Sequence, residues 1–374
     1  MAINFPSSPT NGQTLTVGNV VYTWSSAKGA WSASLISTTA RSNNRIVNPS
    51  MISSQENGNT IGTGVYFPAD QFAMSPSIAP GGVNIQRVQL LTPRGSRDRL
   101  RITITTANAS LAVGSYLGFV MYIEGNFVAD LAYATSYAAQ AILRFGFKGP
   151  AGTYHATYRT ASRSYPAPFT ISAGQANTDT EQTIFISPDA GGTWAFDNTI
   201  HTIWITLAAG TSFNTGTANA WNASGTPIAS PSQSNGAAAL NTFELFDVGF
   251  YVDPDYTGRA PDWVQDDQLT ATMQSQRYWY KFMGGAGLFS ATTSAVRVGM
   301  PHPVSMRIAN PTTSWTGSPT VHDGTTTRAI SAVANGYHNI LMSDFNFTTA
   351  AAAAAGRAGI LVGAALSYMP VSAR

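Results

Sequence analysis

An all-β chain of antiparallel sandwiches is what the sequence predicts. Three observations carry that expectation. Apolar and polar residues alternate over short segments, Gly, Pro, Asn and Ser clusters separate those segments at strand-like spacing, and the segments are rich in β-branched and aromatic residues. Leu100 to Thr105 (LRITIT), Ala141 to Phe147 (AILRFGF), Thr183 to Ser187 (TIFIS), Thr202 to Leu207 (TIWITL) and Phe243 to Val252 (FELFDVGFYV) are the clearest examples. Strands of this number and length fit sandwiches.

Taken in order, residues 1–34 read as a compact hairpin module: Thr14 to Val17 and Val20 to Trp24 join around Gly18-Asn19, and Gly29-Ala30-Trp31 follows. Such a unit is too small to fold well alone. Residues 35–45 (LISTTARSNNR) have little periodicity and read as a linker. The main β-rich domain then spans 46–261. Residues 262–282 (DWVQDDQLTATMQSQRYWYKF) are the best helix candidate, with Asp262 as cap, acids in the first turn, and Arg277 and Lys281 near the end. A C-terminal β-sandwich domain is expected over 283–374, where Ala350 to Ala355 suit one helical turn or a loop.

Composition narrows the function. The chain has 374 residues, enough for two or three domains with sizeable cores. Only 10% of them are charged, against roughly 25% in an average soluble protein, so the surface is neutral and polar. A net charge of +2 without clustered cations argues against binding a phosphate backbone, so no nucleic acid partner is expected. With no Cys there are no disulfides, thiolate catalysis or Cys-based metal sites. No run approaches about 18 apolar residues and MAINFPSSPT lacks the marks of a signal peptide, so neither membrane insertion nor export by a leader is expected.

The order of several motifs resembles the virion proteins of tailed bacteriophages. Phe5, Pro6, Pro9, Gly12, Tyr22, Trp24 and Trp31 match, in order, a short attachment module of such proteins. NRIVNPSMISSQENG with Tyr66, Ala69 and Asp70 resembles the opening of tail-fibre domains, although Pro49-Ser50 replaces the usual Gly and Glu56 stands where Arg is frequent. Tyr122-Ile123-Glu124-Gly125, ILRFGFKGPAGTYH, the Gly192-Thr193-Trp194 turn, LAAGTSF and Trp221 follow in the same order. Ser275 to Tyr280 (SQRYWY) and Pro303 to Arg307 with Pro311-Thr312 resemble signatures that follow the jelly roll in that family, with Ser275 where many relatives have Cys. The resemblance implies a jelly roll similar to carbohydrate-binding modules. It also implies a structural fibre or spike protein on the tail, neck or head of the particle, a homotrimer, and partners among other virion proteins.

A sugar-binding surface needs aromatic faces for pyranose rings and polar side chains for hydroxyls. Tyr154, Tyr158, Tyr165, Trp194 and Trp221 are the aromatic candidates, with Arg159, Arg163, Asp197 and Asn198 beside them. Core or edge packing is the competing reading, the commoner one for a tryptophan. Phe5, Pro6, Tyr22, Trp24 and Trp31 are the candidate virion-attachment residues, because so small a unit cannot cover two Trp and a Tyr and exposed aromatic clusters mark interfaces. Arg94, Arg97, Arg99 and Arg101 could grip an acidic polysaccharide or partner; alternation puts the last three on one strand face, which reads as solvated or interfacial. Asp253 and Asp255 in VDPDYTG read as turn formers rather than calcium ligands, since no EF-hand spacing is present.

For catalysis there is little. His155, His201, His302, His322 and His338 are scattered outside any zinc-hydrolase pattern, no G-x-S-x-G occurs, and Glu appears only at 56, 124, 181 and 244. No internal period supports a β-helical depolymerase. No enzyme, metal or cofactor is therefore expected. The expectation is a particle-surface fibre or spike subunit, anchored by its N-terminus and projecting β-domains for host attachment. A glycan-binding module at a fibre tip is the alternative, and a polysaccharide depolymerase the lesser one.

Overall fold

The structure, a computed structural model, describes residues 5–17, 20–35, 44–282, 287–290, 295–309, 311–313, 320–322, 326–349, 358–362 and 369–372. The Gly18-Asn19 turn, linker residues 36–43 and the alanine run lie outside the described residues. Every strand pairing described is antiparallel.

The N-terminal unit is a three-stranded meander, β1 (Thr14–Val17), β2 (Val20–Ser25) and β3 (Ala30–Leu35), one strand more than the expected hairpin. The third strand forms because Trp31 pairs directly opposite Trp24, so the two indoles cover each other on one face.

The main body is a β-sandwich with jelly-roll character. Its strands are β4 (Tyr66–Ala69), β5 (Phe72–Ser77), β6 (Gly82–Gln89), β7 (Asp98–Thr106), β8 (Tyr116–Glu124), β9 (Gln140–Lys148), β10 (Gly152–Arg159), β11 (Ser164–Ile171), β12 (Thr180–Ile186), β13 (Ile200–Ala209) and β14 (Thr242–Asp253). One sheet runs β11-β10-β13-β8-β5-β4 and the other β12-β9-β14-β7-β6. Alternation sets the core. Leu100, Ile102 and Ile104 of β7 and Phe243, Leu245 and Phe250 of β14 point inward from one sheet; Leu117, Phe119, Met121 and Ile123 of β8 meet them from the other. Fully burying each such side chain contributes about 1.5–3 kcal/mol. In β14 the register slips between Phe246 and Gly249, and Asp247 there has a φ of 51°, a β-bulge that brings Val248 back into the core.

The opening segment is pinned by Asn48, whose amide nitrogen donates to the carbonyls of Ser53 (2.8 Å) and Asp70 (3.0 Å), while Ser53 Oγ donates to the Asp70 carboxylate at 2.7 Å.

The helix is shorter than expected. α1 covers Gln268–Gln276, and its cap is Asp267, which accepts from Thr270 N at 2.9 Å, not Asp262. Two causes limit it: the segment has no continuous apolar stripe, and Trp279–Phe282, aromatic and β-prone, is taken as strand β15 by long-range pairing.

The C-terminal region is also corrected. In place of a sandwich, β16 (Gly287–Ser290), β17 (Ala295–Pro301), β19 (Thr320–His322), β20 (Thr327–His338), β21 (Met342–Thr349) and β22 (Ala358–Val362) close a barrel in the order β16-β17-β21-β20-β19-β22. Strand β15, β18 (Thr312–Thr313) and β23 (Met369–Ser372) form a separate small sheet. Closure removes open strand edges, and Phe345 and Phe347 of β21 are fully buried.

Candidate functional site

The outer face of the six-stranded sheet is where the structure leaves aromatic and cationic side chains accessible. Register brings them together: Arg159 of β10 lies opposite Thr202 of β13, and Thr202 lies opposite Tyr122 of β8. In the adjacent row Thr157, Trp204 and Val120 sit side by side. Arg159, Tyr122, Thr202 and Trp204, with Val120, Thr160, Ala161 and Ile200, line an open cleft of about 280 Å³. That is just under the ~300 Å³ at which small-molecule pockets usually begin, so it suits one ring rather than an enclosed chain.

Each side chain is held by its neighbours. Phe67 stacks on Tyr122 with ring centroids 5.7 Å apart. Trp204 packs edge-on against Tyr116 at 5.9 Å, and Tyr116 in turn against Phe213 at 5.0 Å. The Arg159 guanidinium lies 5.6 Å from the Trp204 ring centroid. Burial draws the Arg159 pKa below its ordinary value, yet an arginine stays cationic near neutral pH. It makes no ion pair among the described residues.

The other half of this face is closed by the loop between β13 and β14. Thr157 and Thr206 both donate to the Ile228 carbonyl, at 2.7 and 2.8 Å. His155 Nδ1 lies 2.8 Å from Gln233 Oε1 and its Nε2 2.8 Å from Ser230 Oγ. Because the Gln233 oxygen can only accept, Nδ1 carries the proton and Ser230 donates to Nε2. Burial lowers the His155 pKa, which keeps the ring neutral in this arrangement.

Most of the aromatic candidates named from sequence are elsewhere. Tyr154, Tyr158 and Tyr165 are only 1%, 0% and 3% exposed, so they form no stacking platform: their positions on β10 and β11 alternate in phase with core residues. Tyr158 donates to His201 Nδ1 at 2.6 Å, while His201 Nε2 donates to the Ala195 carbonyl at 2.9 Å. Trp194 and Trp221 are half-buried around Tyr133, with centroids 4.8 and 5.5 Å from it. Their polar handles are already engaged. Trp194 Nε1 donates to Asp189 at 3.0 Å, Trp221 Nε1 donates to the Ser187 carbonyl at 2.8 Å, and Arg163 makes two 2.7 Å bonds to the same Asp189 carboxylate. This is a structural knot at one edge of the sandwich. Asp197 accepts from Thr199, and the Asn198 carbonyl accepts from Arg307. Of the residues proposed for glycan contact, Arg159 alone lines the cleft.

Sequence reading missed Tyr122, Trp204, Phe67 and Tyr116 as site residues. A signal for Trp204 was present: in TIWITL it alternates out of phase with Ile203 and Ile205, which puts it on the face opposite the core.

The arginine cluster is solvated only in part: Arg94 and Arg97 are exposed, as expected, but Arg99 is not. Arg99 is 1% exposed and bonds Asp179 and Glu244, each at 2.9 Å, while Arg101 bonds the second oxygen of Glu244 at 2.8 Å. Asp253 is a turn former, accepting from Thr257 N and Gly258 N at 2.9 Å each.

The N-terminal residues do gather. Phe5 stacks on Trp31 at 5.0 Å and meets Tyr22 edge-on at 5.0 Å, and Trp24 lies 5.7 Å from Trp31. All four rings stay partly exposed and Pro6 beside them is exposed.

No protein-family model matches the sequence, and no curated protein matches it. Among solved structures, the chain is similar to the enzymatically active domain of tailspike protein 4 of bacteriophage CBA120 (12% identity, TM-score 0.29), over 56% of this chain and 21% of that one. A family 11 carbohydrate-binding module of a cellulosomal cellulase of Clostridium thermocellum matches at 12% identity and TM-score 0.28, over 53% of this chain and 96% of that one. A carbohydrate-binding module of the β-sandwich superfamily matches at 8% identity and TM-score 0.26, over 62% and 72%. The chain thus spans about a fifth of the tailspike and most of each binding module.

Proposed function

We propose that this chain is a non-enzymatic structural protein of a tailed-phage particle: a fibre or spike subunit, held to other virion proteins by its N-terminal module and exposed on the particle surface. On this reading it assembles as a homotrimer and its jelly roll contacts a host-surface glycan through the cleft of Tyr122, Arg159, Thr202 and Trp204. The observation that carries the glycan reading is the cleft itself, where accessible aromatic rings adjoin Arg159, a cation that rests on the Trp204 ring and makes no ion pair among the described residues. Sugar rings stack on such faces while arginine donors reach hydroxyl or acidic oxygens. The partly exposed ring cluster around Trp31 supports a docking role for the N-terminal module. The non-enzymatic reading is supported by the glutamates: Glu124, Glu181 and Glu244 are each engaged by an arginine side chain and lie apart from the cleft.

A glycan array probed with the intact chain and with Trp204→Ala tests the sugar contact. Binding by the former and not the latter is expected; silence of the intact chain at high concentration would remove the glycan role. Mass spectrometry of purified particles tests the virion role separately, and absence of the chain from them would end it.

A further inference from the structure

The cleft on the outer face of the six-stranded sheet carries charge of one sign. Arg159 lines it, and no Asp or Glu does. Elsewhere in the sandwich, arginines meet carboxylates: Arg45 meets Asp130, Arg94 meets Glu181, Arg99 meets Asp179 and Glu244, and Arg163, four residues beyond Arg159, meets Asp189. Arg159 has no such counter-charge. Among the described residues the one titratable group whose charge bears on it is Tyr116, a phenol that is neutral near pH 7. Its guanidinium rests 5.6 Å from the Trp204 ring centroid, and none of its nitrogens is sealed from water. Partial burial meanwhile strips some of its hydration and draws its pKa down. A partly desolvated cation attracts an incoming anion more strongly than one in open water does.

The cation is also held in place. Arg159 ends β10 at a turn that Thr160 fastens: its N–H donates to the Arg163 carbonyl at 2.8 Å, and its Oγ1 accepts from Ser162 N at 3.3 Å and Arg163 N at 3.1 Å. Behind the turn, a Cβ on Gly225 would lie 2.1 Å from the Thr160 carbonyl oxygen and 2.6 Å from that of Ala161, so only glycine lets the following loop close against it. Such a site needs little reorganisation to bind.

A ligand that matches every part of the cleft has a ring for the aromatic faces and one anionic group for the guanidinium. The paired N–H donors of arginine fit the two oxygens of a carboxylate. A neutral sugar would leave the cation unanswered, and a bare anion would leave the rings uncovered. A volume of about 280 Å³ holds one pyranose. We infer that the cleft selects a hexuronic acid, its ring against Trp204 and Tyr122 and its carboxylate on Arg159. This rests on the glycan reading above and names the sugar class for the same cleft.

The test is a ligand-detected NMR titration of the intact chain with the methyl glycosides of glucuronic, galacturonic and mannuronic acid, each beside its neutral hexose counterpart, with sodium acetate as control. Arg159→Gln and Arg159→Lys are titrated in parallel; neither breaks an ion pair, and melting temperatures confirm that both fold. At least one uronide is expected to bind saturably and at least tenfold more tightly than its neutral counterpart. Arg159→Gln should abolish that preference, and Arg159→Lys should keep a smaller one. Equal or tighter binding of the neutral hexoses would overturn the inference while leaving the glycan reading in place. So would a preference that survives in Arg159→Gln. Acetate binding as tight as the uronide would also overturn it, by showing an anion site indifferent to the sugar ring. Binding of none of the sugars would remove this inference and count against the glycan reading together.

Discussion

Arg277, just past the end of α1, grips Glu124 at the end of β8 with two bonds, Nε to Oε1 at 2.8 Å and Nη2 to Oε2 at 3.0 Å. The Glu124 side chain is fully buried, and Arg277 also donates to the Ser305 carbonyl at 3.1 Å. One arginine thus ties the sandwich, the helix and the start of the C-terminal region together. Arg277→Ala should cost about 3–5 kcal/mol, because it strands a buried carboxylate. Arg277→Met combined with Glu124→Leu should cost far less. Chemical denaturation of the three proteins checks both, and equal losses in the single and double variants would contradict the tether.

Trp204→Ala and Tyr122→Ala should each weaken glycan binding at least tenfold, about 1.4 kcal/mol, Tyr122→Ala with little change in melting temperature and Trp204→Ala with a modest fall. The sandwich core lies on the opposite side of both strands, but Trp204 also packs against a small outer cluster of Ala209, Ile228 and Ala229 with Tyr116 and Phe213, so only Tyr122→Ala leaves every buried cluster intact. Tyr154→Phe, by contrast, should leave binding unchanged, since that ring is inside. Titration calorimetry with any glycan found on the array separates the two classes.

Replacing Trp24 and Trp31 together by Ala should leave the circular dichroism of the main domain intact but stop incorporation into particles. Both rings belong to the partly exposed cluster with Phe5 and Tyr22. Mutant particles carrying normal amounts of the chain would rule out this cluster as the anchor. In light scattering, a trimer for the wild type and for the variant would place trimer contacts outside the cluster.

Acidification below about pH 6.5 should destabilise the fold. His155 and His201 are buried neutral, and burial lowers both pKa values from the ordinary 6.5. A lowered histidine pKa means that the unfolded chain binds the proton first, so stability is complete above pH 6.5 and is lost as pH falls through the folded-state values. Asp247 acts in the opposite sense: its raised pKa makes protonation favour the folded state at acidic pH. Melting temperatures measured from pH 8 to 5 should therefore fall below 6.5, and His155→Gln should flatten part of that slope.

Several of these features were legible in the residues and others were not. The all-β class, the strand segments and the gathering of Phe5, Tyr22, Trp24 and Trp31 follow from period-two alternation and local pairing, which act over a few residues. Alternation even separated Trp204 from Ile203 and Ile205. It could not say which face of a strand would meet the other sheet, and so Tyr154, Tyr158 and Tyr165 were equally good candidates until packing buried them. The end of α1 was decided by β15 pairing with β23, roughly ninety residues away along the chain. The fate of Arg99, enclosed by Asp179 and Glu244, depended on contacts 80 and 145 residues distant. Side-chain chemistry sets what each residue can do, but desolvation and charge pairing arise only when distant strands close on one another, and those two effects decide which aromatics and which charges remain available to a ligand.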